Sequence, residues 1–278
     1  MSDDRYSRNE ALFGVEGQRR SAATRIAIVG LGGLGSHVCQ QAAYLGVVNY
    51  GLVDGDIVTR SSLNRVIGAL EGDARNNTHK VDVAERLIRR LQPDAHVTVA
   101  RSWLEANDAQ TTLRNVDVIF GCVDNDLARL ELTDLASRLQ VTYIDLASDT
   151  GGEGDDLWYG GRVVFARGDG CLSCLGLLDQ EEIRKARMSP EEREVDNRIY
   201  GLKRDALAAT GPAVVSVNGV VASLAVTEFI AWRTGLREPA RQLTYRGDLA
   251  SVGRNNDAPA PSCFYCERWR SMDGSSAA

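Results

Sequence analysis

Two groups of residues in this chain have the types and spacing to do chemistry. The first is Gly30-Leu31-Gly32-Gly33-Leu34-Gly35, a GxGxxG turn, with an acid, Asp54, 19 residues after Gly35. Such a turn lets backbone approach a phosphate closely. The helix behind it offers free N–H groups and a positive dipole end, and the acid can take a ribose hydroxyl. On its own the pattern is also compatible with a tight glycine turn that binds nothing. The second group is two CxxC pairs, Cys171/Cys174 and Cys263/Cys266, separated by 88 residues. Two pairs fit a closed, structural, tetrahedral zinc site of four thiolates that staples distant segments together. A redox CxxC is the alternative, but it leaves the second pair unexplained. Cys39 and Cys122 fall within a predicted helix and strand and read as small buried residues.

The elements around these residues supply the context that the motif needs. Arg25–Val29 (RIAIV) is a β-branched run and predicts a buried strand. Residues 36–46 predict a helix closed by a glycine, and 50–53 a second strand ending at Asp54. Residues 78–91 have a helical apolar period, with Pro93 behind them. Strands are predicted at 96–100, 117–122 and 141–146, and helices at 108–114 and 127–139. Strands alternating with helices predict a doubly wound, mainly parallel, Rossmann-like α/β sheet. Ligands of such sheets bind off the carboxyl ends of the strands. Gly30–Gly35, Asp54 and Asp124 all fall at such ends, so one site can hold them.

The second half reads differently. Residues 157–167 predict a hairpin or sheet edge and 242–246 a last strand, a C-terminal β extension stapled by the four cysteines. Residues 179–210 form a highly charged excursion without a clean apolar stripe, expected to be mobile and part helical. Residues 1–24 read as an exposed, fraying helical arm carrying Arg5 and Arg8, with a single domain over 25–270. Residues 271–278 read as a disordered tail.

Composition narrows the classes. The net charge of −6 supplies no basic excess for binding nucleic acid broadly. The first ten residues hold no apolar run of a secretory leader. Residues 212–232 approach the length of a bilayer span, but Asn218, Glu228 and many small residues make this a buried packing helix. Six cysteines without such a leader predict a cytoplasmic, reduced protein.

In order, the chain presents GLGGLG, the LVDGD turn, SSLNR at 61–65, Lys80, CVDN at 122–125 and the two CxxC pairs. This combination closely resembles the ThiF/MoeB/HesA family of adenylating enzymes, related to ubiquitin-activating enzymes, from Arg5 to Cys266. The resemblance implies the fold above, a structural Zn2+ and a homodimer. It also implies ATP- and Mg2+-dependent adenylation of the C-terminal carboxylate of a small ubiquitin-like protein ending Gly-Gly, with release of pyrophosphate. It assigns Arg65 and Lys80 to the phosphates, Asp124 to magnesium and Asp54 to the ribose. Asp56, Ser62 and Asn64 join the nucleotide site. Arg8 becomes an arginine supplied across the dimer interface to the γ-phosphate region. Read alone, these residues have plainer roles: Arg65 a solvated loop arginine, Lys80 a first-turn helix lysine, Asp124 a helix N-cap, Asp56 a loop stabiliser.

Two departures from the family pattern matter. Ser62 and Val66 stand where the family usually has asparagine and glutamine, and serine has the shorter reach to a phosphate. No cysteine lies between 175 and 262, the region where thioester-forming members carry theirs. The expectation is therefore adenylation without a thioester on this chain, the adenylate passing to a sulfur carrier or a thiol on another protein. Three other readings stand beside it: adenylation of a short peptide C-terminus, an NAD-dependent oxidoreductase, and an inactive nucleotide-binding scaffold.

Overall fold

A computed structural model describes residues 4–189, 192 and 213–271. Its eight strands are β1 (Arg25–Val29), β2 (Asn49–Val53), β3 (His96–Ala100), β4 (Val118–Gly121), β5 (Thr142–Gly151), β6 (Trp158–Ala166), β7 (Gln242–Arg246) and β8 (Ser251–Asn255). They form one sheet in the order β3-β2-β1-β4-β5-β6-β7-β8. The first five pair in parallel, and β6, β7 and β8 extend the sheet antiparallel. The apolar runs of β1, β2 and β4 are buried along nearly their whole length, as strands covered on both faces must be. The strand order reverses between β1 and β4, and ligands bind at this switch point in such sheets.

Nine helices are described: α1 (Ser7–Ala23), α2 (Gly33–Tyr44), α3 (Glu71–Arg75), α4 (Lys80–Leu91), α5 (Asn107–Thr112), α6 (Asp126–Leu139), α7 (Gln180–Arg187), α8 (Val215–Thr234) and α9 (Phe264–Arg270). On one face α2, α4 and α8 pack over Ile28, Leu52 and Phe120, with Val38, Ile88 and Phe229 from the helices. On the other, α5, α6 and α9 contribute Leu113, Leu132 and Trp269 against Ala27, Ile119 and Tyr143. Helix α8 is long and apolar enough to cross a membrane by length and composition. It packs instead against α1, α2, β5 and β6. Glu228, its one acidic residue, is buried and accepts hydrogen bonds from Arg237 and from the Ala240 N–H.

Several expectations need correction. The N-terminal arm is helical but not a free, fraying arm: Gln18 and Ser21 are buried, Gly17 abuts Thr234 of α8, and Tyr6 lies on Gly46. Helix α2 begins within the glycine turn, at Gly33, rather than at Ser36. Strand β5 runs on to Gly151 because its far half pairs with β6. The segment that carries SSLNR contains a 3-10 turn, Arg60–Ser62, and runs on into α3. In the charged excursion, α7 is a helix capped by Asp179, whose Oδ1 accepts from the Glu181 and Glu182 N–H groups. Most of the remainder of that excursion, and the tail beyond Ser271, lie outside the described residues.

Candidate active site

The glycine turn is shaped by close backbone approach. Gly30 has φ 86°, and a Cβ on it would lie 2.5 Å from the Cys122 carbonyl oxygen. A Cβ on Gly35 would overlap the Gly30 carbonyl, and one on Gly33 the Asn218 side-chain amide. Gly32 differs: nothing lies within 4 Å of its would-be Cβ. The turn is thus packed behind and open in front, a cradle with room for a phosphate. The Ser36 N–H donates to the Gly32 carbonyl at 3.1 Å, so α2 starts here, and no side chain caps it. The N–H groups of its first turn are available to an anion.

Asp54 braces this turn. Its Oδ2 accepts the Leu31 N–H at 2.6 Å and its Oδ1 the Asp56 N–H at 2.7 Å. The residue is 7% exposed. Burial pushes its carboxyl above the ordinary range, while Lys80 and the two N–H groups pull it back. Lys80 opens α4, donates its N–H to the Asp56 carbonyl at 3.0 Å and pairs through Nζ with Asp56 Oδ2 at 2.5 Å. Its side chain is 14% exposed. The ends of β1 and β2 therefore share a buried acid, and the lysine lies beside it.

The SSLNR loop reaches the same place. Ser62 is buried, and its Oγ binds the Thr59 hydroxyl and accepts the Thr59 N–H. It closes the 3-10 turn from which Arg65 springs. Arg65 Nη1 donates to the Ser61 carbonyl at 2.5 Å and to Asn64 Oδ1 at 3.3 Å. The Arg65 Cδ is 3.6 Å from where a Gly33 Cβ would be, so the arginine lies along the glycine turn. The Ile67 N–H donates to Ser36 Oγ at 3.0 Å and fastens the loop to α2. Asp124 follows β4 and is exposed. The N-cap of α6 is Asn125, whose Oδ1 accepts the Ala128 N–H at 2.9 Å. Asp124 accepts a long, 3.4 Å hydrogen bond from Asn125. An exposed carboxylate of this kind fits magnesium, which takes one or two carboxylates plus phosphate oxygens.

Arg8 is not brought to this site within one chain. It is exposed on α1, near Tyr6, which lies on Gly46 just beyond the opposite end of α2, and Arg5, which donates to the Leu91 carbonyl at the far end of α4.

One site residue escaped the sequence reading. Asn218, buried in the apolar helix α8, sets its Nδ2 against Gly33 and accepts the Ser148 hydroxyl on Oδ1 at 2.8 Å. A lone asparagine in an apolar run was the available signal, and only the fold gave it a partner. Ser148 also lines a cavity of about 260 Å³ with Asp149, Thr150, Tyr159, Val214 and Val217. Asn218 thus links the glycine turn to a groove between β5, β6 and the start of α8.

The four cysteines meet as their spacing predicts. Their Sγ atoms all lie within 4.8 Å of one another, with Cys171–Cys263 at 3.6 Å and Cys174–Cys266 at 3.7 Å. A zinc tetrahedron with Zn–S bonds of ~2.3 Å has sulfur–sulfur edges of about 3.8 Å, so the donor set fits that metal. It joins the loop after β6 to the start of α9, which is docked by Trp269 Nε1 donating to the Val141 carbonyl at 2.9 Å. The other two cysteines stand apart: burial pushes the Cys39 and Cys122 thiols upward, so neither is poised as a thiolate.

The fold and this site define a doubly wound domain with a nucleotide cradle at its switch point. The ThiF family model matches residues 6–262, and the chain belongs to that family. Among curated relatives, it is 36% identical over 140 residues to the adenylyltransferase and sulfurtransferase uba4 of Aspergillus fumigatus, covering 49% of this chain and 27% of that protein. It is 34% identical over 134 residues to the SAMP-activating enzyme E1 of Haloferax volcanii, covering 48% of this chain and 49% of that one. The matching stretches therefore span half or less of those relatives. Among solved structures, E. coli MccB with AMPCPP and MccA superposes with a TM-score of 0.72 at 19% identity, covering 96% of this chain and 74% of that one. PaaA superposes at 0.63 and 18% identity, covering 91% and 82%. These two likenesses establish the fold.

Proposed function

We propose that this chain adenylates the C-terminal carboxylate of a small ubiquitin-like protein ending Gly-Gly, using ATP and Mg2+, without forming a thioester itself. The observation that carries the reading is Arg65 lying along the glycine turn, with Lys80 beside the Asp54 that braces it, next to a groove that Asn218 joins to the turn. A carboxylate is a weak nucleophile, and its target is a polyanion. The reaction needs negative charge neutralised and the pyrophosphate leaving group held. In this reading the turn and the start of α2 cradle the phosphates. Arg65, steadied by Asn64 and by the Ser62 turn, and Lys80, steadied by Asp56, face the phosphate charge. Asp54 holds the turn in shape and offers its remaining lone pairs to the ribose. Magnesium on Asp124 would supply further charge neutralisation. A carboxylate oxygen of the acyl substrate, lying in the groove, forms a bond to the α-phosphorus as the bond to the pyrophosphate oxygen breaks, giving acyl-adenylate and pyrophosphate.

Membership of the family favours this over a hydride-transfer enzyme, which leaves Arg65, Lys80 and Asp124 idle. Desolvation pushes the Cys39 and Cys122 thiols upward, away from a reactive thiolate, which supports a reaction that stops at the adenylate, to be taken by a sulfur carrier or thiol on another protein. Arg8 then acts from the second subunit of a homodimer, and zinc on Cys171, Cys174, Cys263 and Cys266 is structural. A second reading, adenylation of a short peptide, is favoured by the lining of the groove, where Tyr159, Val214 and Val217 offer apolar surface for which a Gly-Gly end has no side chain.

ATP–pyrophosphate exchange tests both, with Gly-Gly-ending proteins and a short peptide as acyl substrates. Exchange that needs the protein and is lost in Lys80→Ala supports the first reading. Exchange with the peptide alone moves the assignment to the second. Exchange that survives both Lys80→Ala and Asp124→Ala refutes the site.

A further inference from the structure

A buried ionic cluster lies behind the Asp124 turn, and nothing in the reading above uses it. Asp145, on β5, is 0% exposed. Its Oδ1 accepts the Tyr143 hydroxyl at 2.9 Å and lies 3.5 Å from Arg129 Nε. Its Oδ2 lies 3.9 Å from Arg162 Nε. Asp145 Oδ2, Arg129 Nε and Arg162 Nε are buried and complete no hydrogen bond. A buried charge group of this kind is a weak source of stability, since apolar replacements of equal volume are often as good. Its geometry gives it a different use.

Arg129 extends from Asp145 to the turn that carries Asp124. Its Nη2 donates to the Val123 carbonyl at 2.9 Å, one residue before Asp124, and its Nη1 to Asp126 Oδ1 at 2.7 Å. On the other side of the turn the Tyr143 hydroxyl lies against Gly121, where a Cβ would be 2.5 Å from it. Asp145 therefore holds both clamps of the Gly121–Asp126 turn. The cluster continues outward to α7. Asp126 Oδ2 accepts the Asp179 N–H at 2.7 Å, and Glu182 Oε1 accepts the Asp126 N–H at 3.0 Å. Arg162 donates to the Leu177 carbonyl at 3.3 Å.

We propose that Asp145 is a positioning residue: through Arg129 and Tyr143 it fixes the turn that aims Asp124, and through Asp126 it couples that turn to the docking of α7. The inference rests on the reading of Asp124 as the magnesium-binding carboxylate. A change in α7 docking is then felt at the metal-binding carboxylate, and the converse holds by linkage.

The test uses the full chain and Asp145→Asn, which keeps the volume and the Tyr143 hydrogen bond but removes the charge that orients Arg129. Amide hydrogen exchange is followed in peptides covering 121–126 and 179–187, and ATP binding is titrated with Mg2+. Both peptides are expected to exchange faster together. The Mg2+ concentration for half-maximal enhancement of ATP binding should rise about tenfold, as when a residue supporting a metal ligand is lost, with ATP affinity in chelator unchanged. Wild-type exchange in both peptides, or a change in one alone, overturns the coupling. Arg129→Lys keeps the charge but loses the reach to Val123 and Asp126. It should behave alike, and it decides the matter should Asp145→Asn fail to fold. If wild-type ATP binding is indifferent to Mg2+, the reading of Asp124 falls, and the exchange data still judge the coupling.

Discussion

Replacing Asp54 with alanine should damage the fold before any nucleotide is added. The two N–H groups that the carboxylate accepts, from Leu31 and Asp56, sit at 2.6 and 2.7 Å in a place with almost no access to water. Each buried donor stranded without an acceptor costs about 1–3 kcal/mol. Removing the carboxylate also removes the cost of burying it, the cause that raises its pKa. The net loss should therefore be about 2–4 kcal/mol, which for a chain of this size lowers the melting temperature by about 5–15 °C. Asp54→Asn retains one carbonyl acceptor but turns an NH2 toward the other N–H, so it should lose about half as much. Thermal unfolding of ligand-free protein by calorimetry reads this directly. A ligand-free Asp54→Ala protein that melts within about 2 °C of wild type, whatever its ATP affinity, would refute the brace and leave Asp54 with a ribose role only.

The remaining expectations concern metal, subunit, acid and turn. Purified protein should carry about one zinc per chain, and Cys174→Ser should lose it and melt lower, since structural zinc contributes folding energy; absence of zinc by elemental analysis refutes this. Arg8→Ala and Lys80→Ala should each abolish adenylation alone. Mixed and re-equilibrated they should regain about a quarter of wild-type activity, because half the dimers then hold one complete site; no recovery, with exchange of subunits demonstrated, refutes action across the interface. Asp73 is held below its usual value, 3.8, first by the hydrogen bond from Arg86. A depressed carboxylate stabilises above its unfolded pKa and stops doing so as pH falls through the folded one. The difference in melting temperature between wild type and Arg86→Ala should therefore be full at neutral pH and shrink below pH 3.8; a difference constant down to pH 2 would contradict it. Gly35→Ala drives a Cβ into the Gly30 carbonyl and should lose ATP binding, measured by calorimetry; unchanged affinity would show that the turn yields.

The parallel half of the fold was legible because its code is local. Residues 25–29, 96–100 and 242–246 announce strands by composition and period, and the observed bounds agree. The antiparallel edge was harder. Strand β8, Ser251–Asn255, is exposed along most of its length and carries a glycine and an arginine, so it has no alternation to read. The far half of β5, Ser148 to Gly151, looks like a turn until β6 pairs with it. At the candidate site, sequence singled out Arg65, Lys80 and Asp56 but not what they touch. The hydroxyl of Ser62, expected near phosphate, is taken up by Thr59. Asp54 read as a ribose acid and is first a brace for two backbone amides. Asn218 and Asp145 draw their meaning from partners 70 residues away at Ser148 and across the sheet at Arg162, which no local pattern encodes.

The cysteine cluster gives the chain an unusual topology. With a metal held, Cys174 and Cys263 are joined through it, and everything between them, including α7, α8, β7 and β8, becomes one closed loop. A single break of the backbone between α7 and α8 yields two fragments, each carrying half of the thiolates. β7 in one still pairs with β6 in the other, and α8 still packs on α2. Such a nicked protein should migrate as one particle under native conditions and separate in denaturant with a chelator. A metal held there would add its bonds to sulfur to that packing, so the two pieces would part only when both are undone.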